Sequence, residues 1–307
     1  MSGPDPSASH SGEILQQYRA EEFRLDPEWP DRYRRQGLCD EIVARFRSDV
    51  YRFYLNHGRR FSWRETISPY RVLVSEIMLQ QTQTTRVAAR FEPFVGAFPG
   101  FGELAAAPFS DVLRLWKGLG YNRRAKYLQD CARLVVSDFG GMLPDHPGIL
   151  ETFPGIGKAT ASSICVFAFN TPHPFIETNI RTVFIHLFFA DHTRVADRDI
   201  MEIVERTLDA DHPRRWFYAL MDFGVMLKKQ VGNAGRKSLH YQKQAPFAGS
   251  DRQLRGRILQ LLLDHQYLEI SSLCELLGQP DERLRPLVEA LCLEGLAKQN
   301  QGTLSLS

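Results

Sequence analysis

Apolar positions in this chain recur three and four residues apart almost throughout, and alternation of period two appears only in the last few residues. That pattern predicts an all-α chain. Ile42, Val43, Phe46, Val50, Phe53 and Tyr54 make a helical stripe between Cys39 and His57. A second helix should start near Pro69, whose fixed φ suits a first turn. It runs into Ser75-Glu76-Ile77-Met78-Leu79-Gln80-Gln81-Thr82-Gln83, with Leu73, Glu76 and Gln80 on one face. Phe91, Phe94, Val95 and Phe98 form the next apolar set, and Pro108 opens another that holds Val112, Leu113, Leu115 and Trp116. Gly118-Leu119-Gly120-Tyr121 breaks the periodicity, which resumes from Arg123 to Val136 behind a basic front of Arg123, Arg124 and Lys126. A last long stripe spans Leu208 to Leu227. Beyond it, Arg252–His265, Ile270–Leu277 and Asp281–Glu294 read as three helices and 296–306 as a hairpin, the make-up of a winged-helix module.

Punctuation divides the chain into a polar, proline-rich extension (1–38, with a short helical stretch near Glu13–Arg24), a main helical domain (39–230), a linker (231–250) and the small module (251–307). The linker is basic: from Lys228 to Arg257 eight Lys and Arg stand against one acid, Asp251. Such a block suits phosphates, although the whole chain carries a net charge of only +2. No apolar run is long enough to span a bilayer, and the first residues have neither a basic nor an apolar signal region. A cytoplasmic protein without a membrane partner is the expectation. The five cysteines, Cys39, Cys131, Cys165, Cys274 and Cys292, show no ligand spacing, so no zinc site, iron–sulfur cluster or disulfide framework is expected.

Three stretches carry chemistry. Glu76 sits among Leu73, Ile77 and Leu79, where the charged form is poorly solvated, its pKa should rise, and a protonated carboxyl can act as a general acid. Leu150 to Ala161 contains Pro154-Gly155-Ile156-Gly157-Lys158 between two helical patterns. There a glycine turn feeds a helix whose free N–H groups can hold a phosphate. It lacks the spacing of a nucleotide P-loop or of a dinucleotide fingerprint. Pro174 to Arg181 places Glu177 before Thr178 and Asn179, as at a helix start, where the dipole favours an anion. A neutral acid and an anionic carboxylate together suit glycosidic cleavage through a sugar cation. Taken singly, each of these features also reads as ordinary: an amphipathic-face Glu, a glycine-capped corner and a capping Glu.

Together the motifs VSEIMLQQTQTTRV, LWKGLGYNRRAKYL, LETFPGIGKATASSI and PFIETNIRTV resemble the helix-hairpin-helix DNA glycosylase superfamily over Cys39 to Lys229, most closely its MutY-like branch. The resemblance implies a two-lobed all-α fold and an enzyme that extrudes a base from double-stranded DNA carrying a mismatch or lesion. It gives Glu76 the role of acid on the leaving base and Glu177, with support from Asn179 and Tyr121, the role opposite the sugar cation. Gln80, Gln81 and Gln83 become a wedge in the base stack, and Asn122 and Arg124 join them as base- and DNA-binding residues. Pro154, Gly155, Ile156, Gly157 and Lys158 become the phosphate clamp, whose carbonyls at 153–157 hold a monovalent cation in relatives; no side-chain metal site is implied.

The chain also departs from that family. Glu177 replaces an Asp, moving the charge by about 1.5 Å. Ala159 stands where bifunctional relatives carry a Schiff-base Lys, so a monofunctional enzyme without lyase chemistry is expected. The four-cysteine cluster loop is missing from Lys228–Tyr241, so no cofactor is expected. Asn122 replaces a second Tyr. The expected protein is a monomeric base-excision N-glycosylase most like those that remove adenine. Its rivals are a pyrimidine (uracil or thymine mismatch) glycosylase and a non-catalytic DNA-binding protein on the same scaffold.

Overall fold

The computed structural model describes residues 23–243 and 246–307. The helical stretch expected near Glu13 therefore lies, except for its last two residues, outside the described residues. The chain forms two compact units that are each discontinuous in sequence: residues 1–60 with 165–242, and 61–164 with 243–307. The division cuts twice through the stretch 39–230, and the basic linker is shared between both units.

The first unit contains α1 (Trp29–Gln36) and α2 (Asp40–His57). Its core gathers Phe46 with Trp29, Phe184, Phe188 and Trp216, ring centroids 5.2–6.0 Å apart. In the second unit, α3 (Ser62–Glu65), α4 (Pro69–Leu79), α5 (Thr84–Ala97), α6 (Phe101–Ala106), α7 (Phe109–Trp116), α8 (Arg123–Asp138), α9 (Pro147–Leu150) and α10 (Lys158–Ile164) follow in order. Trp63, Phe91, Phe94 and Trp116 lie buried at their centre. The chain re-enters the first unit in a π-helical turn, Cys165–Phe169, not expected from the periodicity. Arg214 holds its exposed carbonyls, donating Nε to Phe167 O at 2.7 Å and Nη2 to Ala168 O at 3.0 Å.

The first unit is completed by α11 (Thr178–Phe188), α12 (Asp197–Thr207) and α13 (Pro213–Gln230). The last stripe thus begins at Pro213 rather than Leu208, because Leu208 ends α12 and Pro213 is the residue pre-set for a first turn. Gly224 lets α13 press directly on the start of α11: a Cβ there would lie 2.3 Å from Asn179 O. Part of the basic linker is ordered here. A 3-10 turn, Ala234–Lys237, leads to a parallel bridge between Val195 and Ser238, and Lys237 donates to Ala190 O at 2.6 Å.

The small module has α14 (Asp251–His265), β1 (Tyr267–Glu269), α15 (Ile270–Leu277), α16 (Asp281–Leu293), β2 (Ala297–Asn300) and β3 (Thr303–Leu306). Its antiparallel sheet runs β1-β3-β2, with Tyr267 opposite Ser305 and Asn300 opposite Thr303. This is the expected winged-helix arrangement plus one strand, β1, whose three residues are too few to show alternation.

An ion pair ties α11 to α12: Arg181 donates to both Asp197 carboxylate oxygens, at 2.8 and 2.6 Å. The bond from Arg181 holds the Asp197 carboxyl below its usual range. A depressed folded-state pKa means stability that is complete above the unfolded value of about 4 and lost as the pH falls through the folded one. Urea midpoints measured at about pH 5 and about pH 3 should fall less in Asp197→Asn than in the parent chain.

Candidate functional site

In the second unit, α4 positions Glu76. Ser68 caps its N-terminus, accepting from Arg71 N at 3.2 Å, and Pro69 occupies the first turn. Glu76 is half-buried between the buried Ser75 and Ile77. Ser163, on α10, lies 2.6 Å from its Oε2 and 3.0 Å from Thr160 O. One hydroxyl carries one proton and cannot donate to both. The Ser163 hydroxyl is thus a donor within reach of both the Glu76 carboxyl and the Thr160 carbonyl. Ser163 itself was not legible as a site residue, because no motif marks a serine eighty-seven positions from its partner.

At Leu79 the helix stops and the chain turns sharply, with Gln81 in the left-handed region at φ 53°. The terminal carbonyls of α4 are held by Arg124, whose Nη1 donates to Ile77 O at 2.8 Å and Met78 O at 2.9 Å. Its Nη2 reaches Thr82 Oγ1 at 2.8 Å and Gly120 O at 3.0 Å. Arg124 is only 7% exposed, and burial lowers its pKa to about 10. Its guanidinium lies against main-chain oxygens, with Trp116 and Tyr121 rings 5.5 Å away. It fixes the Ile77–Thr82 segment and the Gly118–Asn122 turn to each other.

Gln80, Gln81, Gln83, Tyr121 and Asn122 come together along one cleft of this unit. Gln80 also joins the hairpin, donating to Gly155 O at 3.1 Å. Gly155 has φ 73°, and a Cβ there would lie 2.4 Å from the Tyr127 ring, so both the turn and the close approach require glycine. Gly155, Gly157 and Lys158 are exposed and Pro154 half-buried, but the Ile156 side chain is buried at 5%, leaving only its main chain for a phosphate. Four hairpin carbonyls already accept bonds: Phe153 from Ile156 N, Pro154 from Cys131, Gly155 from Gln80 and Gly157 from Ala161 N.

In the first unit, Glu177 caps α11. Its Oε1 accepts from Asn179 N at 2.7 Å and Ile180 N at 2.8 Å, and its Oε2 from Asn179 Nδ2 at 3.1 Å. The longer side chain thus curls back onto the helix end. Lys228, in the last turn of α13, donates to Asn179 Oδ1 at 2.7 Å. Glu177 keeps some exposure as a residue, yet its carboxyl group is surrounded by protein. Burial pushes its pKa up, against the two backbone N–H groups and the charges of Lys228 and Arg181, which pull it down. The anion expected from the dipole alone is therefore a balance, and Lys228 is one of the weights. The sequence presents Lys228 as the first residue of a basic run; only the helix register turns it towards Asn179.

The segment after α13 has no cysteine, and among the described residues no group of three or more His, Cys, Asp and Glu is placed to hold a metal.

The profile of the HhH-GPD superfamily base excision DNA repair proteins matches residues 74–207. An adenine DNA glycosylase of Mycobacterium tuberculosis is 32% identical over 238 residues, covering 70% of this chain and 77% of that protein. A thymine/uracil-DNA glycosylase of Methanothermobacter thermautotrophicus is 27% identical over 185 residues, covering 59% of this chain and 84% of that one. Among solved structures, a thermostable thymine-DNA glycosylase superposes with a TM-score of 0.55 at 25% identity, over 62% of this chain and 90% of its own.

Two outcomes follow from this geometry. Arg124→Met should cost at least about 1–3 kcal/mol in chemical denaturation, because it strips partners from the buried carbonyls of Ile77 and Met78. Lys228→Met should raise the Glu177 carboxyl pKa further, seen in a carbon-detected NMR titration, while Lys228→Arg should leave it near its parent value.

Proposed function

This chain belongs to the HhH-GPD superfamily of base excision DNA repair proteins, and on that premise we propose that it is a DNA N-glycosylase that flips a mispaired or damaged base out of a duplex and hydrolyses its N-glycosidic bond. The observation that carries the reading is a partly buried Glu76 carboxyl at the end of the helix that leads into the Gln80–Gln83 turn, fixed by the Ser163 hydroxyl. Glu76 protonates the base as the C1′–N bond breaks and its electron pair leaves with the base. The Glu177 carboxylate, held by Asn179 and Lys228, opposes the cation that develops on the sugar. Water then adds at C1′ and gives up a proton, leaving an abasic site. Each step turns on a proton or a charge at a stated oxygen.

Adenine in a mismatch is the target this reading favours, supported by the extent of likeness to the adenine glycosylase. A pyrimidine target is the second reading, supported by Asn122 and by the likeness to thymine- and uracil-directed enzymes. The enzyme works without cluster or lyase chemistry: Ala159 carries no amine, and Lys158, one residue earlier, is an exposed helix-start side chain. The Gln80–Gln83 turn serves as the wedge, and the exposed rim of the Pro154–Lys158 hairpin holds the backbone. It acts as a monomer in the cytoplasm.

Glu76→Gln keeps the acceptor for Ser163 but has no proton to give. It should lower base excision by a factor of about 100 or more on a panel of duplexes with single altered bases, read as strand breaks after heating in alkali. Duplex affinity should stay unchanged, and borohydride should trap no covalent adduct with the parent enzyme. Full turnover by Glu76→Gln would sink the assignment. Absence of breaks from the parent chain on every duplex, with binding retained, would leave the non-catalytic scaffold.

A further inference from the structure

The cleft that holds the wedge has a second wall that the catalytic reading does not use. It measures about 1320 Å³, and its far side is α14 of the C-terminal module, with Arg252, Arg255 and Gln260 facing the Gln80–Gln83 turn. That volume exceeds the roughly 300–1,000 Å³ of small-molecule sites. Its lining carries six cations (Arg86, Lys117, Arg123, Arg124, Arg252, Arg255) and one acid, Glu294. Glu294 is bonded by Arg255 and lies 3.6 Å from Arg123. The cleft is therefore strongly positive.

It also presents flat faces and amides. Tyr121, 37% exposed, is thrown into it by a left-handed backbone at φ 47°. A non-glycine residue held there marks stored strain of the kind found at functional sites. Arg252 donates to the Tyr121 hydroxyl at 2.9 Å with its guanidinium 5.9 Å from the ring. Phe247, 61% exposed, lies along the same wall. Cations that follow a backbone, aromatic faces and sequence-tolerant amides are what a nucleic-acid strand requires.

The third helix of the module, which in winged-helix readers enters the groove, is the poorer candidate. α16 carries Asp281, Glu282 and Glu289 against Arg283 and Arg285, a net −1, and Arg285 is paired with Asp281. α14 carries Arg252, Arg255 and Arg257 against Asp251 and Asp264, a net +1 with His265 neutral.

We propose that the C-terminal module binds DNA with its first helix, closing the Tyr121 cleft around one strand of the duplex held at the wedge. Phosphates lie on Lys117, Arg86 and Arg252, and a base lies against Tyr121. The inference rests on the reading that the ligand is DNA, and not on the excision chemistry.

The test is fluorescence-anisotropy titration of the full chain on a labelled duplex between about 50 and 200 mM salt. Arg252→Gln and Lys117→Gln should each weaken binding several-fold and reduce the salt slope by about 1, the pair by about 2. Lys117 is exposed and makes no part of the Tyr121 brace, so its variant separates phosphate contact from loss of that brace. Arg285→Gln, on α16, should change neither quantity. Unchanged slopes in Lys117→Gln and Arg252→Gln overturn the proposal. So does tighter binding by Arg252→Gln, which would make the module a block on the cleft, and so does a loss confined to Arg285→Gln. A chain that excises no base but shows the slope changes keeps this inference and loses the glycosylase reading; an active enzyme with unmoved slopes does the reverse.

Discussion

The buried guanidinium of Arg124 is the interaction on which the second unit depends. A helix that ends inside a protein leaves carbonyls without partners, and α4 ends at Leu79, just before the Gln80–Gln83 turn. Arg124 meets the carbonyls of Ile77 and Met78 with one nitrogen and the Thr82 hydroxyl and Gly120 carbonyl with the other. A planar fork of donors can bridge two segments in this way, and a lysine cannot. Both loops it joins carry a non-glycine residue in the left-handed region, Gln81 and Tyr121. Strain of that kind persists only where the surroundings over-determine it. The charge remains on Arg124 because burial lowers its pKa only to about 10, still above neutrality.

The first unit solves a different problem with a different cation. Glu177 caps α11 with a buried carboxyl group. Capping takes Oε1, which accepts two backbone N–H groups; Oε2 takes the Asn179 amide. Burial works against the charged form, and Lys228 works for it through Asn179 and through space. The contact exists because Gly224 lets α13 and α11 touch main chain to main chain, which brings Lys228, one turn on, to the head of α11. A methylene more than an aspartate is accommodated by folding the side chain back along the helix axis.

The module at the C-terminus extends this economy of surfaces. Its sheet is small, and its third helix is slightly acidic. Its first helix bears the arginines, and the structure turns that helix towards the strained turn at Tyr121. The lining of the Tyr121 cleft carries more cations than acids, and such a surface concentrates positive potential.

Much of this was legible in the sequence because it is local. The helix from Pro69, the stripe from Asp40 to His57, the three helices of the module and the glycine hairpin all follow from spacing three and four, proline at a first turn and glycine at positive φ. The motifs around Glu76, the hairpin and Glu177 sufficed for the family. What the sequence could not contain was direction. Arg124 and Arg123 are neighbours of one type, and only packing sends one into the core and the other to the surface. Lys228 looks like the start of a solvated run until helix register turns it inward. Ser163 and Arg252 meet Glu76 and Tyr121 across separations of 87 and 131 residues. Periodicity reports which face of an element is apolar; which partner that face meets, and therefore which proton or charge a carboxyl keeps, is decided when distant segments exclude water together.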